Sequence, residues 1–90
     1  MAHTVKGKSK LLARARRIRG QVEAIERGLE AEIGCADILQ LVASVRGAVN
    51  GLTVELIEDH IKNHVVEADT EGERRASADE LIDVIRSYMK

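Results

Sequence analysis

Apolar residues along the first third of the chain recur at alternating spacings of four and three. They are Leu11, Ala15, Ile18, Val22, Ile25 and Leu29. This spacing is typical of a helix packed along its whole length, so we predict a helix from about Val5 to Glu32. Gly20 and Gly28 would each cost that helix about 1 kcal/mol relative to alanine, so we expect close approach at both. Gly34 is expected to mark the helix end.

A second apolar stripe begins at Cys35 and continues at the same spacing to Leu56, then in steps of four to His60 and His64. It predicts one helix of about thirty residues. Within it Gly47 and Gly51 form a G-x-x-x-G pattern, which is typical of the close approach of another backbone. Further apolar residues lie off this stripe, and we expect a second chain to cover them. These are Leu39, Leu41, Ala48, Ile57 and Ile61.

The last part of the chain predicts a loop and a short helix. The segment Glu67–Arg75 is polar and acidic, and Ser77 with Glu80 forms a capping box that would begin a helix of about a dozen residues. Its apolar face would be Leu81, Ile85 and Tyr88. The chain has no Pro, Trp or Phe, and its apolar residues are nearly all Ala, Val, Ile and Leu. We therefore predict an all-α fold in a single domain, residues 1–90.

A chain of 90 residues is too short to bury a large core. It buries only roughly two thirds of its unfolded surface, and a helical hairpin with one short helix cannot enclose a core alone. Two hairpins packed with twofold symmetry would form an antiparallel four-helix bundle, so we expect a homo-oligomer.

Charge is distributed very unevenly along the chain. The formal net charge is -1, but residues 1–19 hold seven basic residues and no acidic one, which leaves -8 on the remainder. The seven are Lys6, Lys8, Lys10, Arg14, Arg16, Arg17 and Arg19. Such a segment favours binding to nucleic acid, with an affinity that falls as salt rises. With one aromatic residue available for base stacking, duplex DNA is the favoured target.

Cysteine content and hydropathy indicate the compartment. A single cysteine excludes an intrachain disulfide and suits a reducing cytosol. No apolar run approaches the ~20 residues that span a bilayer, and no signal-peptide pattern follows the charged N-terminus. We expect a cytoplasmic protein with no membrane partner.

His60 and His64 lie at i and i+4, so both imidazoles could meet one metal ion. Each candidate ligand has an ordinary alternative: such a histidine pair is more often solvent-facing, and a lone cysteine on an apolar stripe is usually a small buried hydrophobe. His3, in a terminal segment, says little by itself.

Geometry nevertheless connects these candidate ligands. Cys35 and His60 are 25 positions apart, about 37 Å along one helix, and cannot share a site within one chain. Antiparallel pairing of two copies about Arg46 to Gly51 would place Cys35 of one copy beside His60 and His64 of the other. The sequence thus predicts a metal site between subunits.

Four motifs together resemble the CsoR/RcnR family of small bacterial transcriptional repressors over essentially the whole chain. They are Arg14 to Val22 (R-A-R-R-I-R-G-Q-V), the isolated Cys35, Arg46 to Leu52 (R-G-A-V-N-G-L), and the His60/His64 pair. The resemblance implies a three-helix protomer, a tetramer of two antiparallel bundle dimers, and operator DNA released when an effector occupies an inter-subunit site at Cys35. It also implies DNA-binding roles for Arg14, Arg17 and Arg46. The full set of predicted DNA-binding residues is Lys10, Arg14, Arg16, Arg17, Arg19 and Arg46.

The family resemblance also narrows the choice of effector. Copper(I) and persulfide sensors need a second cysteine, and formaldehyde sensors typically carry proline at position 2 and glutamate at the position of His64, whereas this chain has Ala2. Nickel and cobalt sensors look like this chain, which has His3, Cys35, His60 and His64. Removal of the initiator Met before Ala2 would free an amine as a further ligand. A nitrogen-rich site with one thiolate suits six-coordinate Ni(II) or Co(II).

Two alternatives remain open from the sequence. One is a formaldehyde sensor of the same family that uses Cys35 and the N-terminal amine. The other is an enzyme or a metal buffer with Cys35 as a nucleophile. The sequence offers no orienting third group or oxyanion donors for catalysis, and a buffer has no use for clustered positive charge. We therefore predict a repressor and not an enzyme.

Overall fold

The computed structural model describes residues 7–90. Helix α1 runs from Lys8 to Glu30, α2 from Cys35 to His60, and α3 from Glu71 to Tyr88, with a π-helix over Ile61–Val66 directly after α2. The described residues contain no strand, so the all-α prediction is confirmed. Two compact units, Gly7–Thr53 and Val54–Lys90, are described separately below. The predicted ligands Ala2 and His3 lie outside the described residues.

The end of α1 is a Schellman motif. Glu32 is left-handed, with φ 55, and its amide donates to the Leu29 carbonyl at 3.1 Å. The next amide, of Ile33, donates to the Gly28 carbonyl at 3.1 Å. These two bonds satisfy carbonyls that the helix end would otherwise leave without partners. The helix end expected at Gly34 is therefore formed earlier, with Glu32 as the left-handed residue.

Gly34 begins α2 instead of ending α1. Its carbonyl accepts the amides of Asp37 and Ile38 at 3.0 and 3.1 Å. The predicted close approach is confirmed at Gly28, which is buried: an added Cβ would lie 2.8 Å from Cδ1 of Ile33 and 3.0 Å from Cδ1 of Ile38. A Cβ added at Gly20 would meet no described atom within 4 Å beyond its chain neighbours and its own helix backbone, so one chain does not make the contact expected there.

Within one chain the G-x-x-x-G segment makes one close contact, and the approach of a second copy's backbone there stays a prediction. A Cβ on Gly51 would lie 3.1 Å from Nη1 of Arg14, whereas a Cβ on Gly47 would meet no described atom within 4 Å beyond its chain neighbours and its own helix backbone. Within the chain, the neighbour of Gly51 is therefore a guanidinium and not another backbone.

Helical structure continues past α2 to Val66, as the second apolar stripe predicts, but its geometry changes after His60. Over Ile61–Val66 the helix is π, and the amide of Glu67 donates to the Lys62 carbonyl, five residues back, at 3.1 Å. The apolar spacing alone does not distinguish this turn from an α-helical one.

The predicted start of α3 is wrong. The helix has 18 residues, begins at Glu71, and is capped by Thr70, whose Oγ1 accepts the Glu73 amide at 3.1 Å. Thr70 and Glu73 have the same S/T-x-x-E spacing as Ser77 and Glu80, so the chain offers two candidate caps. Glu71 and Glu73 also place negative charge in the first turn, where the helix dipole favours it. The polar stretch predicted as a loop is therefore mostly the exposed beginning of a helix.

A single chain buries very little apolar surface. Leu11, at 8% exposure, is the one buried large hydrophobic residue among those described. Leu29, Leu39 and Val54 remain 59%, 62% and 55% exposed. This agrees with the expectation that one protomer does not enclose a core. No helix among residues 7–90 combines the length and apolar character that crossing a membrane requires.

Candidate metal centre and nucleic-acid interface

His60 and His64 face each other where α2 becomes the π-helix. Their ring centroids are 5.3 Å apart and their planes are inclined by 42°. Both side chains are half-buried. Because a metal ion binds imidazole nitrogen at about 2.0–2.1 Å, two rings this close can serve one ion. The structure thus brings together two of the predicted ligands.

A backbone carbonyl of α3 fixes the orientation of His60. Nε2 of His60 lies 2.8 Å from the carbonyl oxygen of Ser77. A carbonyl oxygen can only accept, so Nε2 donates and Nδ1 is the nitrogen through which His60 would bind a metal. Metal-binding histidines are commonly oriented by such a bond from the second ring nitrogen. The sequence does not predict this role of Ser77, because a main-chain acceptor leaves no side-chain pattern.

His64 borders a cavity of about 430 Å³ at the junction of the π-helix and α3. Four carboxylates line it, and none of its lining residues is lysine or arginine. The lining residues are Asn63, His64, Glu67, Ala68, Asp69, Glu73, Ala76, Ser77 and Glu80. Within residues 7–90, no three His, Cys, Asp or Glu side chains form a group able to hold a metal ion. A site with more ligands than the histidine pair would draw them from a second copy of the chain or from beyond these residues.

Cys35 is the first residue of α2, and its thiol is exposed and free of any disulfide. Within one chain Cys35 is therefore not buried, as the ordinary alternative of a small buried hydrophobe would have it. Cys35 belongs to the Gly7–Thr53 unit, and His60 and His64 belong to Val54–Lys90.

The predicted DNA-binding residues of α1 fall on two sides of the helix. At about 100° per residue, Lys10, Arg14 and Arg17 share an arc of about 60°, while Arg16 and Arg19 lie on other faces. Arg14 is half-buried and the other four are exposed, as is Arg46 on α2. We call Lys10, Arg14 and Arg17 the basic face of α1.

The basic face borders a polar cavity of about 300 Å³ between α1 and α2. Arg14, Arg17, Gln21, Ser44 and Ala48 line this cavity. Gln21 crosses between the helices, and its Nε2 donates to Oγ of Ser44 at 3.2 Å. Two guanidinium groups beside amide and hydroxyl groups form a surface suited to an anion such as a backbone phosphate.

Comparison with known proteins decides the family. The model of the metal-sensitive transcriptional repressor family matches residues 7–87. The chain belongs to this family. The resemblance to CsoR and RcnR is thereby confirmed, and this is a family of transcriptional repressors and not of enzymes.

Two relatives align with this chain over its whole length. It is 50% identical over 91 residues to an uncharacterized protein encoded in the bioA 5' region of Serratia marcescens, with 100% of both chains covered. It is 43% identical over 90 residues to the transcriptional repressor RcnR of Escherichia coli, again with 100% of both covered.

Two solved structures have closely similar folds. A variant of the formaldehyde-responsive regulator FrmR from Salmonella enterica serovar Typhimurium, with glutamate replaced by histidine, has a TM-score of 0.87 and 45% identity, covering 97% of this chain and 99% of that one. The copper-sensing repressor CsoR with Cu(I) from Geobacillus thermodenitrificans has a TM-score of 0.85 and 32% identity, covering 91% and 85%.

Proposed function

We propose that this repressor binds duplex operator DNA and releases it when Ni(II) or Co(II) binds at a site between subunits. The metal ligands would be Cys35, His60, His64, His3 and the amine of Ala2 after removal of the initiator Met. DNA would be bound by the basic face of α1, with additional charge from Arg16, Arg19 and Arg46.

The observation that carries the proposal is the geometry of His60 and His64. Their rings stand 5.3 Å apart, and the Ser77 carbonyl holds Nε2 of His60, so a metal would bind this ring through Nδ1. A solvent-facing histidine pair has no need of such a fixed orientation. One thiolate with several nitrogen ligands suits Ni(II) and Co(II), whereas Cu(I) favours softer sulfur ligands and Zn(II) favours four ligands in a tetrahedron.

Exposure of apolar residues supports the subunit contact that the site requires. A chain whose one buried large side chain in residues 7–90 is Leu11 needs a second copy to cover Leu39 and Val54. In an antiparallel pairing about the middle of α2, the exposed thiol of Cys35 would lie beside the histidine pair of the other copy. When bound, the metal would add coordinate bonds that link two subunits, and the residues of this chain orient the ligands.

Formaldehyde sensing is the second candidate. It is favoured by the 45% identity to the FrmR variant, whose parent is described as formaldehyde-responsive. Exposed Cys35 and the amine of Ala2 would be the reacting groups. In that variant glutamate is replaced by histidine, so the residue at position 64 is a candidate determinant of which effector is sensed.

Titration of the DNA-bound protein distinguishes the candidates. A labelled operator duplex from upstream of the gene would be bound by the full chain and titrated separately with Ni(II), Co(II), Cu(I), Zn(II) and formaldehyde. We expect release with Ni(II) or Co(II), through a coupling free energy of about 1–3 kcal/mol. Cys35→Ala should bind DNA normally and lose this response. Release by micromolar formaldehyde without any response to nickel or cobalt would refute the metal proposal.

A further inference from the structure

The π-helix around His64 is unusual enough to need a stabilising contact. Segments with i→i+5 bonds are rare, are mostly single turns, and are frequent at functional sites. Here the turn covers Ile61–Val66, with the Glu67 amide bonded to the Lys62 carbonyl. Carbonyls at the end of any helix lack partners within it and must find them elsewhere.

Arg74, in the second turn of α3, supplies those partners. Its Nε donates to the Val65 carbonyl at 3.0 Å, and its Nη2 donates to the Ala68 carbonyl at 3.3 Å. Nη1 is bonded to Oε1 of Glu71 at 2.7 Å. All three nitrogens of one planar group are therefore engaged, two of them by the backbone that ends the π-helix and connects it to α3.

We propose that Arg74 is a positioning residue for His64. By holding the carbonyls of Val65 and Ala68, it fixes where the π-helix ends and therefore how the imidazole of His64 stands relative to that of His60. This inference rests on the proposed function for its purpose, but the placement of the His64 ring exists in the metal-free protein.

The chemistry of the contact requires a guanidinium. A lysine ammonium carries its three donors on one rotatable nitrogen and cannot reach three separate acceptors, whereas the arginine fork presents donors on three nitrogens fixed in one plane. The ion pair alone would count for little, because the side chains of Arg74 and Glu71 are 41% and 69% exposed. The directed bonds to the two carbonyls carry the effect.

Arg75 provides a matched control. It forms an ion pair with the same carboxylate, Glu71, at 3.6 Å, and its side chain is 81% exposed. Arg74→Lys and Arg75→Lys each keep the charge and the helix, so the difference between them isolates the contacts to Val65 and Ala68.

The experiment uses the full chain and two measurements. Imidazole ¹H–¹⁵N spectra of the metal-free protein report the surroundings of His64, and Co(II) titration against a competing chelator reports affinity. We expect Arg74→Lys to shift the His64 ring signals and weaken Co(II) binding roughly tenfold, as loss of ligand-orienting partners does. Arg75→Lys should match wild type in both.

Unchanged His64 ring signals in Arg74→Lys would overturn the proposal, whatever happens to the metal. If wild type binds no nickel or cobalt, the proposed function fails while the ring signals still test Arg74. Should Arg74→Lys not fold, the Nε–H signal of Arg74 in the wild-type protein tests the contact, because its bond to the Val65 carbonyl should slow its exchange with water relative to the Nε–H of exposed Arg75. Equal exchange rates at Arg74 and Arg75 would equally count against the proposal.

Discussion

At the turn after α1, the buried glycine and the left-handed residue are two different positions. At Gly28 there is little space for a side chain, because Cδ1 of Ile33 and Cδ1 of Ile38 lie close to the position that a Cβ would occupy. Glu32 holds the left-handed conformation that glycine usually takes. The turn thus tolerates some strain at an exposed acidic residue and keeps its glycine at the buried contact.

Gly28→Ala should therefore destabilise the protein, although alanine is the better helix former. Two isoleucine side chains must move by tenths of an ångström or more, and overpacking of this kind costs typically 1–3 kcal/mol. Offset by about 1 kcal/mol of helix propensity, the net loss in the free energy of unfolding should be about 1 kcal/mol.

Gly72→Ala is the control for this measurement. Gly72 is also helical, and its nearest neighbour beyond its own helix backbone, Oγ1 of Thr70, would be 3.9 Å from an added Cβ. Denaturant unfolding should place Gly72→Ala at or above wild-type stability. Equal gains at both positions would show that the isoleucines yield freely at Gly28.

At the scale of the element, the stripes of apolar residues predict three helices correctly, and the errors fall where two signals compete. Thr70 and Ser77 are equivalent as sequence caps, and only the packing of α3 on the π-helix distinguishes them. The π-helix has no sequence signature at all, because a four-residue spacing of His60 and His64 suits either helix type. The bond from His60 to a main-chain carbonyl was likewise beyond any side-chain pattern.

Thr70→Ala tests the observed start of α3. Loss of the hydroxyl acceptor for the Glu73 amide should cost about 1 kcal/mol of unfolding free energy. In Ser77→Ala the substituted residue lies within the helix and keeps the carbonyl that His60 needs, so stability should stay within about 0.5 kcal/mol of wild type. If a thermal or denaturant melt shows a larger loss of stability for Ser77→Ala than for Thr70→Ala, the cap is Ser77 and not Thr70.

At the scale of the whole molecule, the uneven charge and the exposed apolar surface both favour binding to partners. The acid-free segment through Arg19 could be recognised from sequence, but its division between a basic face beside a cavity and other faces required the structure. The ligand positions on Ala2 and His3 stay a prediction, as does the tetramer.

Arg14→Ala or Arg17→Ala should weaken operator binding without changing metal affinity. Each would remove one phosphate contact and reduce the slope of log affinity against log salt by about 0.9. Arg27→Ala, in the last turn of the same helix, removes equal charge outside the basic face and should leave the slope unchanged. Equal effects at all three positions would mean that only net charge matters.

Thermal stability should depend on protein concentration. Because one chain buries little apolar surface, association contributes to folding, and the melting temperature should rise steadily over an about 100-fold increase in concentration. Calorimetry with sedimentation at each concentration measures both quantities. A constant melting temperature with a monomeric mass would contradict assembly as the source of stability.

The π-helix also makes chain length a variable in this segment. A ring closed by an i→i+5 bond holds one residue more than an α-helical ring, so Ile61–Val66 behaves as an α-helix with a single residue inserted. Deleting one residue there would restore α-helical pairing and rotate everything before it by about 100° relative to everything after. His60 would then turn away from the Ser77 carbonyl without any change in its own identity. A one-residue insertion or deletion in this segment is therefore as consequential for the histidine pair as the substitution of a histidine itself.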